Sequence, residues 1–138
     1  MGRAIYVSSV NGDDANSGYA PEKAFRSLRK VNQMEIQPGD QILLERGSVF
    51  AGEYLHLYRG GTKEAPLVVD AYGEGALPRI EADGNGIWYQ NYGGHLDNVV
   101  HTWKGYLSSA VLLYDAEYIT VRNLEITNDP LVRNERMN

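Results

Sequence analysis

Apolar residues in this chain come mostly in short runs that alternate with polar ones, closed off by Gly, Pro, Asn or Asp. Ile5-Tyr6-Val7 is the first such run. Others fall at residues 41–46, 54–58, 67–71, 79–82, 110–114, 118–121 and 124–127. Period-two alternation with turn residues at the boundaries predicts strands, so the chain reads as mainly β. One stretch has a different period. Ala24, Phe25, Leu28, Val31 and Met34 recur at helical spacing behind Pro21 and Glu22, with Arg29 and Lys30 further on, which predicts a helix over residues 21–34. The final pattern decides the architecture. Two very short strands flank Arg122-Asn123, a pair poorly suited to the primed turn of a hairpin. A bend that moves the chain from one face of a coil to the next suits them better, since Asn there accepts left-handed geometry and can hydrogen-bond to the same residue one coil away. That is the pattern of a β-solenoid.

Composition narrows the partners. Thirteen Lys and Arg against eighteen Asp and Glu give a net charge of -5, which argues against nucleic acid, whose binding needs a basic face. The absence of Cys excludes disulfides, thiolate zinc sites and thiol catalysis. No run reaches the roughly 18 apolar residues of a membrane span, and no signal peptide is visible ahead of the first strand. The compartment stays open, with an extracellular or cell-surface setting expected if the complete protein acts on polysaccharide. Residues 11–18 are dense in Asn, Asp and Gly. They read as turn chemistry, with Ca²⁺ binding as the alternative, although nothing there matches an EF-hand.

The order of motifs resembles a known family. Ile5-Tyr6-Val7-Ser8, Asn11-Gly12-Asp13-Asp14, Ala24-Phe25-Arg26-Ser27-Leu28 and Pro38-Gly39-Asp40 resemble the opening of right-handed parallel β-helix proteins of the pectate-lyase-like superfamily. Gly61-Thr62, Ala65-Pro66-Leu67-Val68-Val69, Ala71-Tyr72-Gly73, Pro78-Arg79-Ile80 and the stretch from Tyr118 to Asn128 continue the likeness, leaving out residues 84–109. The resemblance implies a β-helix fragment over residues 1–138, with an N-terminal capping helix, and carbohydrate as the partner. It also implies that enzymatic carboxylates lie on later coils. The same fold carries glycoside hydrolases, polysaccharide lyases, tailspikes and non-catalytic surface modules, so it does not select a chemistry. The acidic balance favours a hydrolase over a lyase of polyanionic uronans.

Residues 84–109 are the least strand-like part, expected as an aromatic-rich loop insertion. Both Trp residues lie there, with two of the three His. Trp88, Tyr89, Tyr92, Trp103 and Tyr106 offer flat faces for sugar C–H groups, and His95, Asp97 and His101 offer partners for hydroxyls. Equally, these rings could pin a large loop to the coil's flank. The spacing of His95, Asp97 and His101 is not a zinc pattern. Carboxylates outside ordinary turns are Asp97, Asp115, Glu117, Glu125 and Asp129, and Asp115, Glu125 and Asp129 are the catalytic candidates, each also suited to a solvated surface. Glycoside hydrolysis needs two carboxylates about 5–5.5 Å or about 6.5–9.5 Å apart, and sequence spacing defends no such pair. No phosphate loop or nucleophile elbow is present.

Only about two or three coils of roughly 20–30 residues fit in this length. Nothing after Asn128 has the apolar content of a cap. Further coils, from the same gene or from a partner chain, are therefore expected to complete the stack; a truncated gene product is equally compatible. Two-chain assemblies of the kind found among lacto-N-biosidase-like enzymes fit a coil stack that stops early. The expected function is the opening part of a carbohydrate-active hydrolase, with a lyase and a non-catalytic binding module as the alternatives.

Overall fold

The structure is a computed structural model that describes residues 2–93, 103–114 and 116–129. In chain order its strands are β1 (Ala4–Val7), β2 (Gln41–Glu45), β3 (Val49–Ala51), β4 (Leu55–Leu57), β5 (Leu67–Tyr72), β6 (Arg79–Glu81), β7 (Ile87–Gly93), β8 (Trp103–Ser108), β9 (Val111–Leu113), β10 (Ile119–Val121) and β11 (Glu125–Thr127). Three sheets are wholly parallel, in the orders β1-β2-β5-β10, β3-β6-β11 and β4-β9. The chain steps from the first sheet to the second and third, then returns beside its own earlier strand. Mainly β, parallel pairing is as the sequence predicts, and a hairpin sandwich is excluded.

Register explains the core. Because alternate residues share a face, Ile5, Ile42, Val69 and Val121 form one inward row, and Phe50, Ile80 and Ile126 form another. The earlier members of each row are fully buried, each worth roughly 1.5–3 kcal/mol in apolar burial. The last members are not. Val121 is half-buried and Ile126 is 44% exposed, because β10 and β11 end their sheets among the described residues.

Asn123 takes the expected left-handed φ of 58°, but its partner is not another Asn: its Nδ2 donates to Asp70 Oδ1 at 2.9 Å on the preceding turn of chain. Gly12 is required for a different reason. A Cβ there would lie 2.0 Å from the Phe25 carbonyl oxygen.

The continuous helix expected over residues 21–34 does not form. A 3-10 turn at Pro21–Lys23 and a short helix α1 at Leu28–Asn32 stand in its place, separated by extended backbone at Ala24 and Ser27. The competing pull comes from β1. Phe25 N–H donates to the Tyr6 carbonyl, Ser8 N–H donates to the Phe25 carbonyl, and Phe25 bridges Val7 in parallel. Asp14 then takes the N–H groups of Arg26 and Ser27, both at 2.9 Å. The apolar stripe is still buried, at Ala24, Phe25, Leu28 and Val31. Its periodicity reported burial correctly and helix length wrongly. Residues 11–18 spend their side chains the same way, with Asp13 accepting Ala15 N–H and Asn16 donating to the Ala24 carbonyl. They act as a turn scaffold, and no cluster of three metal-ligating side chains occurs among the described residues.

At the starting edges of the sheets, side chains replace missing strands. Asn32 acts as a strand mimic for β4: its Oδ1 accepts His56 N–H and its Nδ2 donates to the Tyr54 carbonyl, each at 2.9 Å. Ser9 does the same for β3, accepting Val49 N–H at 2.9 Å. These bonds satisfy backbone groups that would otherwise be unpaired at a buried edge. Asp40, 1% exposed, ties β1 to the start of β2 by accepting from Arg3 N–H, Arg3 Nε, Arg3 Nη2 and Gln37 N–H.

Candidate functional site

Within the segment expected as a loop, the described residues form a two-stranded ribbon. β7 and β8 pair antiparallel, with Trp88 opposite Leu107, Tyr89 opposite Tyr106 and Gly93 opposite Trp103, and a register shift between Asn91 and Gly93 that takes in Tyr92. Continuous strands were hidden in the sequence because Gly93-Gly94 and the polar residues around it read as turn chemistry. Trp88, Tyr89, Tyr92, Trp103 and Tyr106 all lie on this ribbon. His95, Asp97, His101 and Asp115 lie outside the described residues.

Of the other carboxylates singled out, Glu125 is exposed on β11 and pairs with Arg79 at 3.1 Å. Asp129 is exposed after the strand ends. Asp70 is committed elsewhere. Burial works against its charge, but hydrogen bonds from Asn123 and Arg122 outweigh that and hold the carboxyl below its ordinary value.

The ribbon leaves the sheets at the corner between β6 and β9, and its foot is fastened there. Ser109 N–H donates to the Gly86 carbonyl at 3.0 Å, Ser108 Oγ donates to the Asn85 carbonyl at 2.7 Å, and Asn85 Nδ2 reaches the Gly52 carbonyl at 3.1 Å. Gly86 is tight against this corner: a Cβ would lie 2.4 Å from the Ser109 oxygen and 3.1 Å from Tyr54 Cβ. His56, 5% exposed, donates from Nε2 to the Ser109 carbonyl at 2.7 Å and carries the Tyr54 ring at a centroid distance of 4.4 Å. The ribbon foot, β4 and α1 thus form one connected corner.

A hollow of about 230 Å³ opens beside that corner, lined by Ser27, Arg29, Asn32, Gly52, Glu53 and Tyr54. A second hollow, of about 350 Å³, also has Ser27 and Glu53 in its lining, a volume within the range of small-molecule sites, roughly 300–1,000 Å³. Glu53 is the distinctive group. Its Oε1 accepts Leu28 N–H at 2.7 Å. Burial, with the neighbouring Asp14 charge adding to it, pushes its carboxyl above the ordinary value despite that bond and the nearby Arg26 and Arg29. Asp14 moves the other way: burial opposes its charge, but hydrogen bonds from Ser27 and Arg26 hold it down. Two neighbouring carboxyls are thereby driven apart in acidity. Sequence reasoning missed Glu53 and Tyr54, which read as ordinary turn and strand residues; a Glu directly after a corner Gly was the only available signal. A third hollow, of about 240 Å³ between α1 and β4, is lined largely by Met34, Ile36, Leu57 and Tyr58. Its carboxylate, Glu35, is 72% exposed and faces Arg59 at 3.8 Å.

No family model matches the sequence. The chain is 43% identical over 135 residues to a lacto-N-biosidase of Bifidobacterium longum subsp. longum, covering 93% of this chain and 8% of that protein. It is also similar to the crystal structure of the GH136 lacto-N-biosidase from Eubacterium ramulus, with 55% identity and a TM-score of 0.85 over 97% of this chain and 22% of that one. A rhamnogalacturonan lyase, 13% identical with a TM-score of 0.54 over 90% of this chain and 28% of its own, shares fold alone. The chain therefore spans about a fifth of the solved relative and less than a tenth of the curated one. Among the described residues, no helix is long and apolar enough to cross a membrane.

Proposed function

We propose that this chain is the opening part of a glycoside hydrolase of the parallel β-helix kind, acting on oligosaccharides that carry a lacto-N-biose unit. The observation that carries this reading is the 55% identity to a lacto-N-biosidase, aligned across 97% of the chain. The progression from sheet to sheet supports a solenoid, and the exposed last members of each inward row support further coils stacking on β9, β10 and β11. Phe25, Leu28, Val31 and Ile36 close the starting end, a cap assembled from a bridge, one short helix and a loop.

In this reading the described residues supply scaffold and substrate contact, and the acid and its partner carboxylate come from later coils. Hydrolysis through two carboxyls requires one protonated and one ionised group held across the glycosidic bond, and Glu125, exposed on β11 and paired with Arg79, is poorly placed for either role. The ribbon carries aromatic residues whose faces suit sugar C–H surfaces. A net charge of -5 suits a neutral oligosaccharide better than a polyanion.

The test is a chimera in which this chain replaces the matching portion of the Eubacterium ramulus enzyme. Release of lacto-N-biose from a lacto-N-bioside substrate at a rate within about tenfold of the parent is the expected result. A folded chimera without that activity overturns the proposal.

A further inference from the structure

From the corner beneath the ribbon, we infer a binding subsite for one neutral pyranose ring, with Glu53 taking its hydroxyls and Tyr54 its C–H face. The inference deepens the carbohydrate reading above and rests on it. Three features of the hollow point to a ligand of this class. Glu53 has one oxygen tied to Leu28 N–H, and the side chain lines both hollows. A carboxyl in that setting can accept from two neighbouring hydroxyls of one sugar. Tyr54, 37% exposed, is fixed in place: its ring rests on His56 at 4.4 Å, and its carbonyl is held by Asn32 at 2.9 Å. An aromatic face immobilised beforehand loses little freedom on binding. Arg29, exposed at the rim, adds donors for ring or glycosidic oxygens.

Charge decides between sugar classes. Asp14 and Glu53 set two carboxyls close to one another, and Arg26 and Arg29 set two guanidinium groups beside them. The two pairs offset one another, so the lining gives neither a uronate nor a cationic amine a net attraction, and a neutral hydroxylated ring is the class that needs none.

The experiment is saturation-transfer NMR of the chain with lacto-N-biose as the probe and glucuronic acid as the charged control. Lacto-N-biose is expected to show transfer, with at least about a tenfold loss of affinity in Tyr54→Ala and about three- to tenfold in Glu53→Gln; Tyr19→Ala, an exposed tyrosine that lines neither hollow, should stay within twofold. Glu53→Gln preserves an acceptor for Leu28 N–H, so it reports on binding even if Tyr54→Ala proves unstable by circular dichroism. Binding that survives both substitutions overturns the subsite and leaves the carbohydrate reading standing. So does absence of binding by the chain alongside an active chimera. Absence of binding together with a folded, inactive chimera overturns both, and preferential binding of glucuronic acid overturns the neutral-sugar assignment.

Discussion

Asp40 and Glu53 are both carboxylates that accept backbone N–H groups, yet they act on stability with opposite sign. Burial opposes the charge on Asp40, and the bonds from Arg3 and Gln37 overcome it, so its folded pKa is depressed. Stability from such a group is present above about pH 4 and is lost as pH falls through the lowered folded value. Asp14 and Asp70 are depressed as well and add to the same acid-side loss. Asp40→Ala leaves the Arg3 and Gln37 donors unpaired, and should cost about 3 kcal/mol by urea denaturation at pH 7 while flattening the decline below pH 4. Glu53 has a raised folded pKa, so it favours folding only while protonated and opposes it once pH rises through that value. Glu53→Gln should therefore raise Tm by about 1–4 °C at pH 7, with the gain fading towards pH 4. A lowered Tm at pH 7 would contradict the assignment. Tyr72 shows the same physics in a phenol, pushed up to about 12 by burial and by the Glu45 charge.

Among the elements, strands were legible and the helix was not. Alternating runs at residues 41–46, 67–71 and 79–82 became β2, β5 and β6 because each has one face in the core, and period two encodes that directly. Val49-Phe50-Ala51 was missed because three residues give too short a pattern, although Phe50 is fully buried. The 21–34 stripe misled for a tertiary reason: β1 offered Phe25 a backbone partner, and no helical period records that. The row from Phe50 through Ile80 to Ile126 makes the consequence measurable. Phe50→Ala, at a fully buried position, should cost about 3–5 kcal/mol. Ile126→Ala, on the same row but 44% exposed, should cost under about 1 kcal/mol. Equal losses in thermal or urea denaturation would show that β11 is packed more tightly than its exposure implies.

At the level of the whole molecule, the two edges of the sheets are unequal. Asn32, Ser9 and Asp40 satisfy backbone donors near the starting edges, while β9, β10 and β11 pair with no further strand among the described residues. Leu113, Tyr118 and Ile126 are 40%, 54% and 44% exposed at that side. The isolated chain should consequently self-associate at micromolar concentration in sedimentation velocity, and Leu113→Lys with Ile126→Lys should weaken association by at least about tenfold. A monomer at all concentrations would contradict this. The candidate site was half legible: the aromatic stretch announced itself by composition, but the hollow joins α1 to the β3–β4 corner, and no sequence spacing links residues 27 and 53. The ribbon itself enters and leaves through one bonded gateway at Asn85, Gly86, Ser108 and Ser109. A segment spliced in between those residues would begin and end at the same bonded points, so the pairing of β6 with β11 and of β4 with β9 is expected to persist. The gateway is therefore a natural graft point for exchanging the segment it encloses.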